Sequence, residues 1–195
     1  MCIRKTLPSD IAQIASLHKQ QFKDHFLGRY SESLIQKYYE PFLEACIFLV
    51  SECDGKLKGF IMGGSSSNLN AAKRTFLSCN KLRYIFETLL NPTVYVMALK
   101  RLKLIKELQS SDIADNNIPQ FRLLSIAVAE DAKGSGLASK LVMEFEKYIQ
   151  AEEYGLSVHT NNIPAIKFYI KNGFTKTHDN VETTYFAKNL VYTNQ

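Results

Sequence analysis

A glycine-containing turn between a predicted strand and a predicted helix is the part of the chain best suited to bind an anion. The strand is the nearly continuous apolar run Phe121–Val128, typical of a strand inside a parallel or mixed sheet. The turn is Lys133-Gly134-Ser135-Gly136-Leu137-Ala138, and the helix after it has an apolar inner side formed by Leu141, Val142, Phe145 and Ile149. The start of a helix leaves backbone N–H groups unpaired, and glycine lets the chain approach a phosphate closely. The sequence therefore predicts a phosphate cradle here.

A second segment downstream places an amide and a phenol on one predicted helix. Leu156–His159 is typical of a strand, and it is followed by the run 162–169, Asn-Ile-Pro-Ala-Ile-Lys-Phe-Tyr, and then by Lys171-Asn172-Gly173-Phe174. A tyrosine with an ordinary pKa of about 10 is protonated at neutral pH and can serve as a general acid. On its residues alone, Asn162 could also be only a turn former and Tyr169 only a packed aromatic side chain.

Together, the two segments resemble the GNAT acetyltransferase superfamily. The turn 133–138 is similar to the family signature Arg/Gln-x-x-Gly-x-Gly/Ala, and the segment 162–174 is similar to its Asn-x-x-Ala-x-x-Phe/Leu-Tyr helix with a Gly-Phe ending. Lys133 replaces the usual arginine or glutamine but keeps a cation, and Glu130 stands where a proline is usual. The strong resemblance covers about residues 121 to 175.

The resemblance implies a fold, a co-substrate and a set of binding residues. The fold is α/β, with a central mixed and mostly antiparallel sheet that splays between strands 4 and 5. The co-substrate is acetyl-CoA. Its pantetheine arm would bind Asn162 and the backbone of strand 4, its pyrophosphate would bind the glycine turn, and Tyr169 would protonate the departing thiolate. The implied coenzyme-binding residues are Ile126, Ala127, Val128, Lys133, Gly134, Ser135, Gly136, Leu137, Ala138, Asn162 and Tyr169.

The general base is not identified by the resemblance. An aliphatic amine with a pKa near 10 arrives protonated and must lose a proton before it attacks a thioester. The positions where many relatives carry a glutamate are Arg122 and Ser157 here, and neither is a carboxylate. By strand alternation His159 shares a face with Ser157, and its imidazole is the candidate base; water is the alternative. His18 is expected in the core, and His25 could line the acceptor pocket.

The first part of the chain predicts the elements that support these motifs. Met1–Lys5 is predicted to be a strand, Ser9 to cap a first helix, and residues from Ser31 to about Glu44 to form a second helix. An Asp54-Gly55 turn predicts a hairpin between Cys46–Val50 and Leu57–Met62. The run 63–68, Gly-Gly-Ser-Ser-Ser-Asn, lacks the order of a P-loop and is expected to be a plain loop.

A basic helical hairpin is predicted between strands 3 and 4. Two helical stretches from Ala71 to Leu108 are broken at Asn91-Pro92, so the insert occupies about residues 70 to 110. Residues 70–106 contain eight lysines or arginines and one glutamate. These cations could recognise an anionic acceptor such as a nucleotide-linked aminosugar, or the insert could be a dimer contact or a solvated face.

Composition bounds the remaining function classes. The chain has 195 residues, of which 46% are hydrophobic and 22% charged, and we expect one soluble domain spanning 1–195. The start lacks a secretion signal and no run is long enough for a membrane helix, so we expect a cytoplasmic protein that does not bind membranes. The four cysteines lack CxxC spacing, so no metal site is expected. The basic insert lacks interleaved aromatic residues, which argues against a nucleic-acid partner.

The function that these features favour is transfer of an acetyl group from acetyl-CoA to the primary amine of a small molecule, by direct attack in a ternary complex. Two alternatives stay open at this point. The acceptor could be a protein N-terminus or a lysine, or the protein could bind acyl-CoA without catalysis.

Overall fold

The computed structural model describes residues 2–99 and 119–190 and contains one seven-stranded sheet. The strands are β1 Cys2–Lys5, β2 Ile47–Cys53, β3 Lys56–Ser65, β4 Phe121–Val128, β5 Glu153–His159, β6 Thr175–Asp179 and β7 Thr183–Asn189. The helices are α1 Ile11–Gln21, α2 Glu32–Tyr39, α3 Phe42–Ala45, α4 Ser66–Leu90, residues 92–99 as α5, α6 Leu137–Glu146 and α7 Ile163–Lys171. Across the described ranges, no helix combines the length and the apolar character that crossing a membrane requires.

The sheet is mixed, as the resemblance implied. Its order is β1-β2-β3-β4-β5-β7-β6, and β4 with β5 is its parallel pair while the other neighbours are antiparallel. The predicted fold class is therefore confirmed. The strands β6 and β7, which complete the sheet beyond β5, were not predicted.

Each face of the sheet carries an apolar cluster. The α1–α4 cluster packs residues such as Ile14, Leu34 and Phe42 against Phe60 of β3. On the opposite face, the α6–α7 cluster packs Leu141, Phe145, Tyr154 and Phe186 together. The inner side predicted for α6 is confirmed at Leu141, Val142 and Phe145, which are buried, whereas Ile149 is also buried but lies after α6 ends at Glu146. The α1–α4 cluster thus positions the first part of the chain, and the α6–α7 cluster positions both chemical motifs.

The predicted hairpin forms with the expected turn. Asp54 and Gly55 have φ values of 52° and 72°, the left-handed conformation that a two-residue hairpin turn requires at both positions. Ser31, where the second helix was predicted to begin, is the N-cap residue of α2, since its Oγ accepts a hydrogen bond from the Leu34 N–H at 3.2 Å.

Two helix boundaries differ from the prediction. Ser9 does not cap a helix, because it lies inside the short 3-10 helix Pro8–Asp10 and α1 begins at Ile11. The Asp10 carboxylate fixes this entry by accepting from the Leu7 N–H at 2.7 Å and pairing with Arg4 at 2.7 Å. The predicted second helix is two helices, because Pro41 has no N–H to donate and restricts the residue before it.

The segment after β3 was wrongly predicted as a loop. Gly63 and Gly64 belong to β3, and the Ser65 Oγ caps α4 by accepting from the Asn68 N–H at 3.2 Å. Helix α4 therefore starts before Ala71. It is kinked at Asn80, and the break at Asn91-Pro92 is confirmed. Residues 100–110 of the predicted insert lie outside the described residues.

Strand β4 has a bulge in its pairing with β3 and pairs with β5 at one position only. Met62 of β3 pairs with Ser125 and Gly63 pairs with Leu123, so Leu124 is an extra residue that bends β4. On its other side β4 is in register with β5 at a single pair, Arg122 with Gly155. The two strands part beyond that pair, which is the predicted splay.

Gly63 is expected to be essential for packing at the bulge. A Cβ on Gly63 would lie 2.4 Å from the Arg122 carbonyl oxygen and 2.6 Å from Phe145 Cζ, whereas a Cβ on neighbouring Gly64 has its nearest contact at 3.3 Å, with Cys46 Sγ. We expect Gly63→Ala to lower the free energy of unfolding by about 1–3 kcal/mol, the usual cost of overpacking a core. Gly64→Ala is the matched control and should cost clearly less in urea denaturation. Equal losses in the two variants would contradict this view of the bulge.

Candidate active site

The glycine turn stands open at the end of β4. A 3-10 turn, Glu130–Ala132, leads into it, and Gly136 is the N-cap residue of α6. Gly134 and Gly136 have φ values of 79° and 80°, a left-handed conformation that glycine adopts without strain. A Cβ built on either glycine meets no atom within 4 Å. The turn and the first turn of α6 can therefore present backbone N–H groups to an anion without a side chain in the way.

The side chains of the turn have structural partners. The Lys133 Nζ pairs with the Glu130 carboxylate at 2.6 Å, and this cation lowers the pKa of Glu130. The Ser135 hydroxyl donates to the Ala132 carbonyl at 2.7 Å and accepts from the Leu137 N–H at 3.4 Å. The Leu137 side chain is buried in the α6–α7 cluster, and Ala138 is half-buried. Apart from Lys133, this turn can offer a ligand mainly its backbone.

Strand β4 presents an edge without a strand partner. Ile126 and Val128 point toward the α6–α7 cluster, and Ala127 is buried in the α1–α4 cluster. Because β5 is in register with β4 at Arg122 only, the peptide groups on this edge from 123 to 128 have no described strand to pair with. An extended ligand could bind them as an added strand does.

Helix α7 follows β5, with Asn162 as its N-cap residue and Tyr169 near its C-terminal end. Asn162 caps α7, since its Oδ1 accepts from the Ala165 N–H at 3.2 Å, and its amide N–H₂ is the group that could face a ligand. The ring of Tyr169 is buried against the aromatic rings of Phe168, Phe174 and Phe186. Burial raises the pKa of Tyr169 to about 12, so this phenol keeps its proton throughout the neutral range.

His159 is exposed at the end of β5, and a backbone bond fixes its tautomer. Its Nδ1 lies 3.2 Å from the Glu182 carbonyl oxygen. A carbonyl oxygen can only accept, so Nδ1 carries the proton and Nε2 carries a free lone pair. Two residues before His159 in β5, the Ser157 Oγ accepts a hydrogen bond from the Arg122 Nη2 at 3.4 Å. The two positions where many relatives have a glutamate thus contact each other here.

The other two candidate histidines, His18 and His25, lie in different environments. His25 lies beside His159, with ring centroids 5.7 Å apart, although the two residues are far apart in sequence. His18 is in the core as predicted: it is 6% exposed, its Nδ1 is bonded to the Tyr39 hydroxyl at 2.7 Å, and burial lowers its pKa to about 4. His18 is therefore neutral and inaccessible, whereas His25 and His159 meet at the surface.

Residues 94–176 match the family profile described as the acetyltransferase (GNAT) domain. This similarity to the GNAT acetyltransferases covers a little under half of the chain. This match includes the bulged strand β4, the glycine turn, β5 and α7. No curated protein sequence matches the chain.

Solved structures of known acetyltransferases share the GNAT fold along nearly the whole chain. An N-acetyltransferase from Staphylococcus aureus Mu50 is 20% identical, with a TM-score of 0.65 over 96% of this chain and 100% of that chain. The PaiA N-acetyltransferase from Thermoplasma acidophilum, in complex with coenzyme A, is 20% identical, with a TM-score of 0.58 over 97% of this chain and 98% of that chain. Chaetomium thermophilum Naa20, in complex with a bisubstrate analogue, is 18% identical, with a TM-score of 0.57 over 97% of this chain and 87% of that chain. At these identities the likeness establishes the fold.

Sequence reasoning missed three features of this GNAT site. They are the bulge at Leu124, the Arg122–Ser157 bond and the contact between His25 and His159. Strand alternation placed Ser157 and His159 on one face, but the path of the loop that contains His25 has no sequence signal. Within residues 2–99 and 119–190, no cluster of three or more His, Cys, Asp or Glu side chains could hold a metal ion.

Buried His18 should make stability depend on pH. Its pKa is about 4 in the folded protein and near 6.5 in the unfolded chain, so the unfolded state binds the proton first as the pH falls. The stability that the folded protein gains from keeping His18 neutral is fully present above about pH 6.5. As the pH falls from about 6.5 to 4, the free energy of unfolding decreases by about 3 kcal/mol. Urea denaturation of the wild type and of His18→Gln, which cannot titrate, should give a difference that follows this window. If the free energy of unfolding varied with pH in the same way for the two proteins, the burial of a neutral His18 would be contradicted.

Proposed function

We propose that this GNAT protein transfers an acetyl group from acetyl-CoA to the primary amine of a small molecule, by direct attack in a ternary complex. One observation carries the proposal: the family match spans a free β4 edge that leads into an open, left-handed glycine turn at the start of α6. This is an arrangement suited to an extended arm that ends in a pyrophosphate. We further propose that residues 1–195 form one cytoplasmic domain that needs no metal.

The coenzyme would bind along the gap between β4 and β5. The backbone of Ile126, Ala127 and Val128 would pair with the pantetheine arm, and the Asn162 amide would hold it from the other side. The pyrophosphate would lie on the turn from Lys133 to Ala138, where Lys133 can exchange its Glu130 partner for a phosphate oxygen. The two phosphates of a pyrophosphate together carry two negative charges, against one on the carboxylate, which favours the exchange.

Tyr169 would act as the general acid and His159 as the general base. The amine nitrogen attacks the thioester carbonyl, a C–N bond forms and the C–S bond breaks. Tyr169 gives its proton to the leaving thiolate, and a phenol held neutral by burial suits that task. The proton of the incoming ammonium would pass to the free Nε2 of His159.

Direct transfer is favoured over an acyl-enzyme. None of the four cysteines lies between residues 121 and 175, where both motifs are. Burial also raises the pKa of Cys46 to about 11, which keeps this thiol protonated and weakly nucleophilic.

The acceptor is proposed to carry an anionic group, as a nucleotide-linked aminosugar does. Arg122 and Ser157 replace the carboxylates common in relatives, so this face offers donors to an anion rather than a negative charge to a cation. The basic insert supports the same choice, although Arg83 already pairs with Glu87 at 3.0 Å and residues 100–106 lie outside the described part. A dimer contact remains the rival role for the insert, because its α4 helix exposes Leu82 and Phe86 by 83% and 61%.

An amine panel tests the function directly. Purified protein is mixed with acetyl-CoA and individual amines, and free coenzyme thiol is measured. We expect thiol release with small amines that carry a phosphate or carboxylate. Release only with peptides would favour the alternative of a protein N-terminus or lysine as acceptor. Binding of acetyl-CoA without release for any amine would instead indicate a non-catalytic acyl-CoA-binding module.

Tyr169→Phe should separate catalysis from packing. Loss of a positioned acid lowers kcat by roughly a hundredfold, while the retained ring should keep acetyl-CoA affinity within a few-fold. Tyr154→Phe is a matched control in the same aromatic cluster, since its hydroxyl donates to Glu146 and has no proposed catalytic role. Steady-state kinetics should show the large kcat loss in the first variant alone. Wild-type turnover in Tyr169→Phe would make Tyr169 a packing residue.

A further inference from the structure

We infer that His25 is a positioning residue for His159 and that the two imidazoles are coupled, so that a positive charge on one disfavours a positive charge on the other. The inference rests on the proposed function, because it assigns how the proposed base is held and when it is free. It adds to that function a residue from the loop between α1 and α2, a region without any motif.

Three contacts hold the pair in place. The His25 N–H donates to the Phe22 carbonyl at 2.9 Å, which fixes the backbone just after α1. The His25 ring then packs edge-on against Phe22, with centroids 5.3 Å apart, and against His159, with centroids 5.7 Å apart. His25 thus bridges the end of α1 and the end of β5.

His159 is held from two directions. Its Nδ1–H donates to the Glu182 carbonyl just before β7, at 3.2 Å, and its ring face meets His25 at an interplanar angle of 71°. One contact fixes the tautomer and the other restricts rotation of the ring. The Nε2 lone pair is therefore kept in one direction, which a general base requires.

The surroundings of His25 disfavour a positive charge on its ring. Packing removes water from His25 and lowers its pKa, and the nearby charge of His159 lowers it further, against a smaller opposite effect of Asp24. Other titratable or charged residues near the pair are Glu182, whose carbonyl bonds His159, His18, which lies behind Phe22 and is neutral, and Arg122, on the Ser157 side. A positive charge on His25 is therefore disfavoured beside His159.

A fixed positive charge at position 25 tests the coupling without any acceptor. In His25→Lys, the NMR titration of the His159 imidazole should move to lower pH by roughly half a unit, the scale of two exposed charges about 6 Å apart. His178→Lys is the matched control, because β7 separates His178 from β5 and charges about 10 Å apart are largely screened in 0.15 M salt. An unmoved His159 titration in His25→Lys would overturn the pair.

Kinetics then test the role of the pair in acetyl transfer. The acid limb of the kcat profile should shift downward in His25→Lys together with the NMR midpoint, and His25→Ala should lower kcat while KM for acetyl-CoA stays level. A shifted NMR titration with an unmoved kinetic limb would overturn the assignment of His25 as a positioning residue. If the NMR coupling appears but no amine is acetylated, the proposed function fails and the coupled pair stands.

Discussion

The parting of β4 from β5 is the constraint on which the rest of the site depends. The two central strands share one register pair, Arg122 with Gly155, and then diverge. Peptide groups in the middle of a sheet are costly to leave unpaired, so this edge favours a ligand that can take the place of a strand. A Cβ at Gly155 would lie 2.9 Å from the Phe186 carbonyl oxygen of β7 and 2.9 Å from Pro119 Cδ, so β5 is closely packed at the residue that pairs with β4.

The proposed acid and the proposed base lie on opposite faces of the sheet. On the α6–α7 face, Tyr169 is buried among aromatic rings, which keeps its proton in place. On the other face, His159 is exposed and reached by His25. These environments suit the proposed roles, since a buried phenol keeps its proton and an exposed imidazole is accessible to an incoming amine. At the open end of the gap, α6 supplies its N-terminus.

Much of this architecture could be predicted because local sequence determined it. The glycine turn needs left-handed backbone at Gly134 and Gly136, and the apolar periodicity of α6 follows its burial. The errors have equally local causes. Pro41 divided a predicted helix, and Asp10 in place of Ser9 took part in the entry to α1 through its bonds to Leu7 and Arg4. The bulge at Leu124 and the His25–His159 contact depend on packing between distant segments, and no short pattern encodes them.

Calorimetry of acetyl-CoA binding to two variants of Gly136 tests the central claim most directly. Asparagine and aspartate tolerate left-handed backbone about equally and have nearly the same size, so Gly136→Asn and Gly136→Asp differ mainly in charge. If the turn receives the pyrophosphate, Gly136→Asp should bind acetyl-CoA at least about tenfold more weakly than Gly136→Asn, because like charges meet at close range. Equal affinity of the two folded variants for acetyl-CoA would contradict the assignment of this turn as the phosphate cradle.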